Sequence, residues 1–365
     1  MTRLALLAIL GFGACHGAAV RDVPATRSEL SVHDVVAVTQ EGEALYVFER
    51  DRATIARAGI AVATLRPPVG EWAEATTLPA LDGEGTWVVA RGSAGELWRI
   101  LASGELEPIH DRFQLAGARA IGAAGDTIAL ATSDGVAVVR DRSHLARFAT
   151  PAVGELAVGK GRIAVRRDGT IEVWDLTAAT RVHYQVAGAS RIAFLDPAGA
   201  PRLVVAAAGG VLVERGGALR ALATPGSVAD VAVAGARLWL RSGAALYVGD
   251  GNTLARVPGA PAGKLFGLAS GDVVVAAPDH ATRLALAAPS DDPRWDADVR
   301  PIFERVCARC HLPGGTADVD LSTPAAWRAH HGELVDRVVE NRTMPPAGVE
   351  LSDADRHTLA VWLAR

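Results

Sequence analysis

The sequence predicts a multidomain chain: an all-β repeat domain of propeller type with about seven blades, then a small all-α domain. Three observations carry this. From about residue 34 to 288, short runs of Val, Ala, Leu and Ile alternate with Gly-, Asp- and Pro-containing turns. These units recur at a near-fixed period. Beyond residue 295 the apolar period switches from two to 3.6 residues, the mark of helix rather than strand.

The repeat units start near Asp34, Thr76, Gly117, Gly154, Ser190, Val228 and Leu265, spaced 42, 41, 37, 36, 38 and 37 residues apart. Four short strands fill roughly 40 residues, the size of one propeller blade. Within a unit the turns read as hairpins. Thr127–Thr132 runs into Ser133-Asp134-Gly135 and then Val136–Val139, and Arg162–Arg166 runs into Arg167-Asp168-Gly169 and then Thr170–Trp174. Seven units predict seven blades, six and eight being the neighbouring counts. The last unit is short. A ring must close, because open edge strands invite aggregation, so Ser28–Val32 is expected to add its strand to the final blade. A two-sheet sandwich and an irregular β-solenoid are the competing arrangements; regular spacing favours the propeller. Trp174-Asp175 resembles the dipeptide that ends a WD40 strand, but its Gly-His partner is absent.

This β region, residues 28–288, shows no reaction motif. His33, His110, His144, His183 and His280 form no metal-spacing pair, and no GxSxG, HExxH or phosphate loop occurs. Trp72, Trp87, Trp98, Trp174 and Trp239 fall at strand positions and read as packing residues.

Composition and the N-terminus set the compartment. The chain has 365 residues, half of them hydrophobic, and a net charge of −4. With no basic block, nucleic acid is not an expected partner. Arg3 precedes a ten-residue apolar run, Leu4–Gly13, and small residues follow. That is the plan of a secretory signal peptide over 1–19, too short to span a bilayer. Cys15 sits where a bacterial lipoprotein carries its lipidated cysteine, although Phe12 stands where a lipobox has an aliphatic residue. Cleavage after Ala19 is the alternative. Only three cysteines exist, and the other two lie together near the C-terminus, so Cys15 has no structural role but lipidation. The expected location is exported, periplasmic or anchored to the outer membrane by lipid alone.

Pro289–Arg294 reads as a linker. Beyond it Val299, Ile302, Phe303, Val306 and Cys310 share one helical face, with Asp298 as expected cap and Pro301 in the first turn. That helix ends on Cys307-Ala308-Arg309-Cys310-His311. C-x-x-C-H is the attachment signature of a c-type haem. Two thiols one turn apart reach the two vinyl groups of one porphyrin, and the next histidine lies under the iron. Pro313-Gly314-Gly315 then stops the helix. A zinc site would need His330 and His331 as further ligands, at a spacing such sites rarely use. A redox dithiol would sit in a βαβ unit that the flanks do not suggest. Export and haem attachment agree, since bacteria attach haem c outside the cytoplasmic membrane.

A second helix is expected from Ser322 or Thr323, with Pro324 just inside. A last one is expected from Ser352, with Asp355 completing a capping box. Between them lies Met344, the chain's one methionine besides Met1, within Thr343-Met344-Pro345-Pro346 and 33 positions after His311. Pro345 holds Met344 out of helix, so its sulfur is free to face the iron. His330 and His331 are the rival sixth ligands.

Residues 295–365 resemble a small class I c-type cytochrome domain of the kind appended to exported bacterial proteins, through "DVRPIFERVCARCH", "DLSTPAAW", "TMPP" and "LSDADRHTLAVWL". The resemblance implies three helices around one covalent haem c, with Cys307 and Cys310 as thioether donors and His311 and Met344 as axial ligands. A His/Met haem c moves single electrons at comparatively high potential. Three functions follow. In the favoured one the chain is an electron carrier whose propeller docks a redox partner protein. In the second, the propeller oxidises a substrate and passes electrons to the attached haem, as in quinohaemoprotein dehydrogenases. Their repeated tryptophan motifs and adjacent cysteines are absent here, and cytochrome cd1 nitrite reductases have the reverse domain order. In the third, the propeller binds a protein or polysaccharide.

Overall fold

The computed structural model describes residues 22–80, 85–101, 103–109, 117–140, 144–150, 153–196, 201–286, 293–346, 349 and 351–363. The expected signal peptide, Cys15, His110 and most of the expected linker lie outside these residues. The chain divides into two compact units, residues 1–286 and 287–365.

The first unit is a seven-bladed propeller. Strand β1 (Ala25–Ser31) is followed by six antiparallel four-stranded sheets in simple meander order. They run from Val35–Glu41 to Ile60–Leu65, Trp72–Pro79 to Leu106–Pro108, Ala120–Ala124 to His144–Phe148, Glu155–Gly159 to Thr180–Gln185, Arg191–Leu195 to Ala218–Leu222, and Val228–Ala234 to Leu254–Val257. The seventh blade has three strands of its own, the last being β28 (His280–Leu286). Its fourth strand is β1, paired antiparallel from Ala25↔Leu286 to Ser31↔His280. The ring therefore closes on the N-terminal strand, three residues earlier than the expected start at Ser28. Upstream of β1, Asp22 bridges Arg256 in parallel, at the edge of the sixth blade.

Burial explains why blades form a ring. Each seam between neighbours holds one apolar cluster. Phe48, Ile55 and Trp72 join blades one and two; Trp87, Leu97 and Ile128 join two and three; Val47, Leu268 and Val274 seal seven to one. A lone four-stranded sheet has two apolar faces and cannot bury either alone. Trp72, Trp87, Trp174 and Trp239 are buried in these seams, whereas Trp98 is only partly covered.

Polar staples cross the same seams. Glu74 accepts the Ile121 N–H at 3.0 Å, Glu155 accepts the Ile192 N–H at 3.1 Å, and Asp230 accepts the Leu265 N–H at 2.7 Å. Each carboxylate sits at the start of an even-numbered blade's inner strand and holds the inner strand of the next blade. Between blades four and five, Arg162 grips Glu214 through two nitrogens at 2.7 and 2.9 Å. Gly267 shows how close inner strands run: an added Cβ would stand 1.8 Å from the Val233 carbonyl oxygen.

The second unit is helical. A run over 295–311 is followed by Pro324–Ala329, His331–Leu334 and Val335–Glu340, then by Asp353–Leu363. Their shared core is Val299, Ile302, Phe303, Leu321, Trp327, Leu334, Val338, Leu359 and Leu363. The first helix begins at Trp295, earlier than Asp298 would make it. Asp298 does serve the N-terminus, but from inside: its Oδ2 accepts the Arg294 N–H at 2.8 Å. The turn is wide (π-type) over Trp295–Val299, ahead of Pro301, whose ring nitrogen has no hydrogen to give. Thr323 caps the second helix as expected, its Oγ1 accepting the Ala326 N–H at 3.2 Å with Pro324 in the first position. Ser352 caps the last one: its Oγ accepts the Asp355 N–H at 3.1 Å and donates to the Asp355 carboxylate at 2.7 Å.

Candidate functional site

The first helix delivers both thiols and the histidine at its C-terminal end. Val299, Ile302 and Phe303 are buried, which fixes the helix's rotation and leaves Cys307, Cys310 and His311 half-buried at the edge of the core. The helix ends at His311, and Leu312 is extended (φ −90°, ψ 160°).

The loop that follows folds back onto the helix end. Gly315 N–H donates to the Leu312 carbonyl at 2.8 Å, Ala317 N–H to the Cys310 carbonyl at 3.0 Å, and Leu321 N–H to the His311 carbonyl at 2.9 Å. The glycines are needed here. Gly314 has φ +75°, and a Cβ on Gly315 would lie 2.3 Å from the Cys310 oxygen. This return brings the Val319 carbonyl to the His311 ring, where Nδ1 donates to it at 2.8 Å. With Nδ1 as the N–H, Nε2 keeps its lone pair and is free to bind a metal.

Met344 packs at the edge of the same apolar core as Cys307. Its N–H donates to the Arg337 carbonyl at 2.9 Å, tying the 341–346 loop to the end of the preceding helix. Against the same core pack Val306, Val319, Val335, Val339 and Leu351, apolar yet only partly buried, and Leu312 is 44 % exposed. Two thiols, a free imidazole nitrogen and a thioether, set among incompletely covered aliphatic side chains, fit the edge, iron and flat apolar faces of a haem.

The competing readings fare less well. Burial pushes the Cys307 thiol up to about 11. A redox dithiol requires the opposite, a readily formed thiolate. Among the described residues no three His, Cys, Asp or Glu side chains gather as a metal site. His331 directs Nε2 at the Leu363 carbonyl, 2.8 Å away, and is exposed, while His330 occupies the joint between two short helices. Two parts of the site escaped sequence reasoning. The Val319 carbonyl is a backbone group with no side-chain signature. Trp327 carries no signal in the sequence beyond its place in the second helix, yet its indole N–H donates to the Leu321 carbonyl at 2.7 Å.

Among the described residues, His33, His183 and His280 join no group of three metal-ligating side chains, and no helix is long and apolar enough to cross a membrane.

Residues 296–363 match the family model described as cytochrome C oxidase, cbb3-type, subunit III. No curated protein matches the chain. Among solved structures, PorZ, a surface component of the type-IX secretion system of Porphyromonas gingivalis, aligns at 12 % identity and TM-score 0.52, over 68 % of this chain and 36 % of its own. A streptogramin B lyase aligns at 12 % and 0.53, over 72 % of this chain and 98 % of its own. YCF48 bound to a D1 peptide aligns at 14 % and 0.53, over 73 % of this chain and all of its own. At such identities the likeness is one of fold. The chain is thus a seven-bladed β-propeller followed by a small helical region that matches a cytochrome c domain and implies a haem cofactor.

Proposed function

We propose that the chain is an exported electron-transfer protein carrying one haem, attached through Cys307 and Cys310 and ligated by His311 and Met344, with the propeller as docking platform for a redox partner. A bound haem c supplies a one-electron iron couple. The observation that carries the reading is the 2.8 Å hydrogen bond from His311 Nδ1 to Val319, because it orients the ring and leaves Nε2 free. The chain's own work is to hold the thiols one turn apart, to fix the imidazole, and to place a thioether and aliphatic side chains where water is excluded. The leader and Cys15 support placement in the periplasm or at the outer membrane through a lipid.

The test is an intact mass and spectrum of protein matured in a periplasm competent for haem c attachment. The expected mass is the processed chain plus one covalent haem. An additional noncovalent cofactor would redirect the reading to a propeller enzyme, and absence of haem would overturn it. His311→Ala is expected to abolish low-spin haem. Met344→Ala is expected to keep the haem but lose the weak far-red sulfur-to-iron band; an unchanged band removes Met344 from the ligand set.

A further inference from the structure

We infer that Trp327 is a positioning residue for the proximal ligand: its indole N–H, by holding the Leu321 carbonyl, fixes the loop whose Val319 carbonyl orients the His311 imidazole. This rests on the reading of His311 as haem ligand.

The chain of contacts is short and closed. Trp327 Nε1–H donates to the Leu321 carbonyl at 2.7 Å, Leu321 N–H donates to the His311 carbonyl at 2.9 Å, and His311 Nδ1–H donates to the Val319 carbonyl at 2.8 Å. Leu321 is thus pinned on both sides, by the histidine's backbone and by the tryptophan's ring. Two residues upstream of that pin sits the carbonyl that the imidazole uses. Asp318 and Asp320 are exposed beside it, and residues 312–316 are exposed as well, so only the Val319 and Leu321 side chains tie this part of the loop to the core. Trp327 is fully buried and cannot drift: Trp295 lies 5.7 Å from it ring to ring, Trp362 5.9 Å and Phe303 6.5 Å. A donor held in an aromatic cluster thus fixes the direction of the Leu321 carbonyl, which packing of the Leu321 side chain alone does not set. A histidine's outer hydrogen bond sets both its orientation and its basicity as a ligand. Weakening that bond makes the imidazole a poorer donor, which favours the reduced metal and raises the potential.

Trp362 supplies the control. It belongs to the same aromatic cluster and is partly exposed, and its recorded contacts there are ring contacts. The experiment compares Trp327→Phe, Trp362→Phe and wild type as full-length haem-loaded chains. Trp327→Phe keeps an aromatic ring but removes the N–H. Its expected results are a higher reduction potential and roughly tenfold faster solvent exchange of the His311 Nδ1 proton in the reduced state, the scale of one lost hydrogen bond. Trp362→Phe is expected to move neither. A haem indifferent to His311→Ala overturns the ligand reading and this inference with it. A His311-dependent haem whose potential and Nδ1 exchange are both unmoved in Trp327→Phe overturns the inference alone. Should Trp327→Phe fail to fold, the wild-type protein decides. The Trp327 indole proton and the His311 Nδ1 proton are expected to exchange in one shared opening; a freely exchanging indole beside a locked imidazole overturns the inference.

Discussion

The two units of this chain solve burial in opposite ways. The propeller repeats one solution seven times: an apolar seam between neighbouring sheets, pinned by carboxylates and guanidiniums that reach across it. Each seam is complete in itself. The helical unit has a single core, and much of its apolar surface is only half-covered, including Val306, Val319, Val335, Val339 and Met344. The propeller thus covers its apolar faces blade on blade, while the helical unit leaves apolar surface that the haem implied by its family match would cover. Small domains commonly need such a staple, because their buried area barely offsets chain entropy.

The largest test of that contrast is to withhold the haem. In chains carrying Cys307→Ser and Cys310→Ser, hydrogen exchange is expected to separate the units. Residues 295–363 should lose protection by on the order of 4 kcal/mol, the linkage expected when a tightly held group is removed. The propeller strands should keep theirs. Equal protection of the helices with and without haem would show that the half-covered aliphatic side chains already have sufficient cover, and the contrast would fail.

The second test breaks a staple instead. Arg162 and Glu214 are 14 % and 10 % exposed, and Glu214 also accepts the Leu203 N–H and the Tyr184 hydroxyl, each at 3.1 Å. Burial alone would raise the Glu214 carboxyl, but the Arg162, Leu203 and Tyr184 hydrogen bonds outweigh it and hold the group below its ordinary range. Glu214→Ala leaves a guanidinium largely buried and unpaired, at a cost of about 3–5 kcal/mol. The double replacement Arg162→Leu with Glu214→Leu should cost far less, since it removes both charges. Urea unfolding of the propeller reads this directly, and the haem spectrum should not change. A double variant as unstable as the single one would mean that packing, not the stranded charge, sets the cost.

What the sequence discloses follows the same division. Blade count and the closing strand are legible because turns and period-two runs are local, and seven copies reinforce one another. Errors fall where a unit loses its period. The second blade begins at Trp72 rather than near Thr76, behind a bulge between Trp72 and Glu74 that breaks the alternation. The staples are invisible to a local reading, because Arg162 and Glu214 are 52 residues apart and Glu155 and Ile192 are 37 apart. In the helical unit Cys307, Cys310 and His311 announce themselves by contiguity, Met344 by scarcity. The Val319 carbonyl that orients His311 is a backbone atom, and any residue there would supply it. Trp327 is buried in the core, and its second role depends on where one N–H points.

The smallest expected effect distinguishes staples within the propeller. Burial raises the Glu74 carboxyl against the lowering effects of Arg91 and the Ile121 N–H, with the charge of Glu155 adding to the rise. Burial likewise raises Glu155 against Arg166 and Arg191. For a carboxylate raised in the folded state, the contribution to stability is fully present below its unfolded value, near 4.5, and is lost as pH climbs through the folded value. Glu214, held low, behaves in reverse: its contribution is present above that value and is lost as pH falls through the folded one. Glu74→Gln and Glu155→Gln keep an amide oxygen to accept the neighbouring blade's N–H but remove the titration. Both variants should therefore gain on wild type as pH rises from about 4.5 toward 7, whereas Glu214→Gln should lose ground only as pH rises toward about 4.5 and hold a constant deficit above it. Urea midpoints from about pH 3 to 7 measure the three slopes. If Glu74→Gln lost ground with rising pH as Glu214→Gln does, the Arg91 pairing would outweigh burial. The inner-strand carboxylates would then be ion-pair staples of the same kind as Glu214, and not hydrogen-bond acceptors that carry a charge at some expense to the fold.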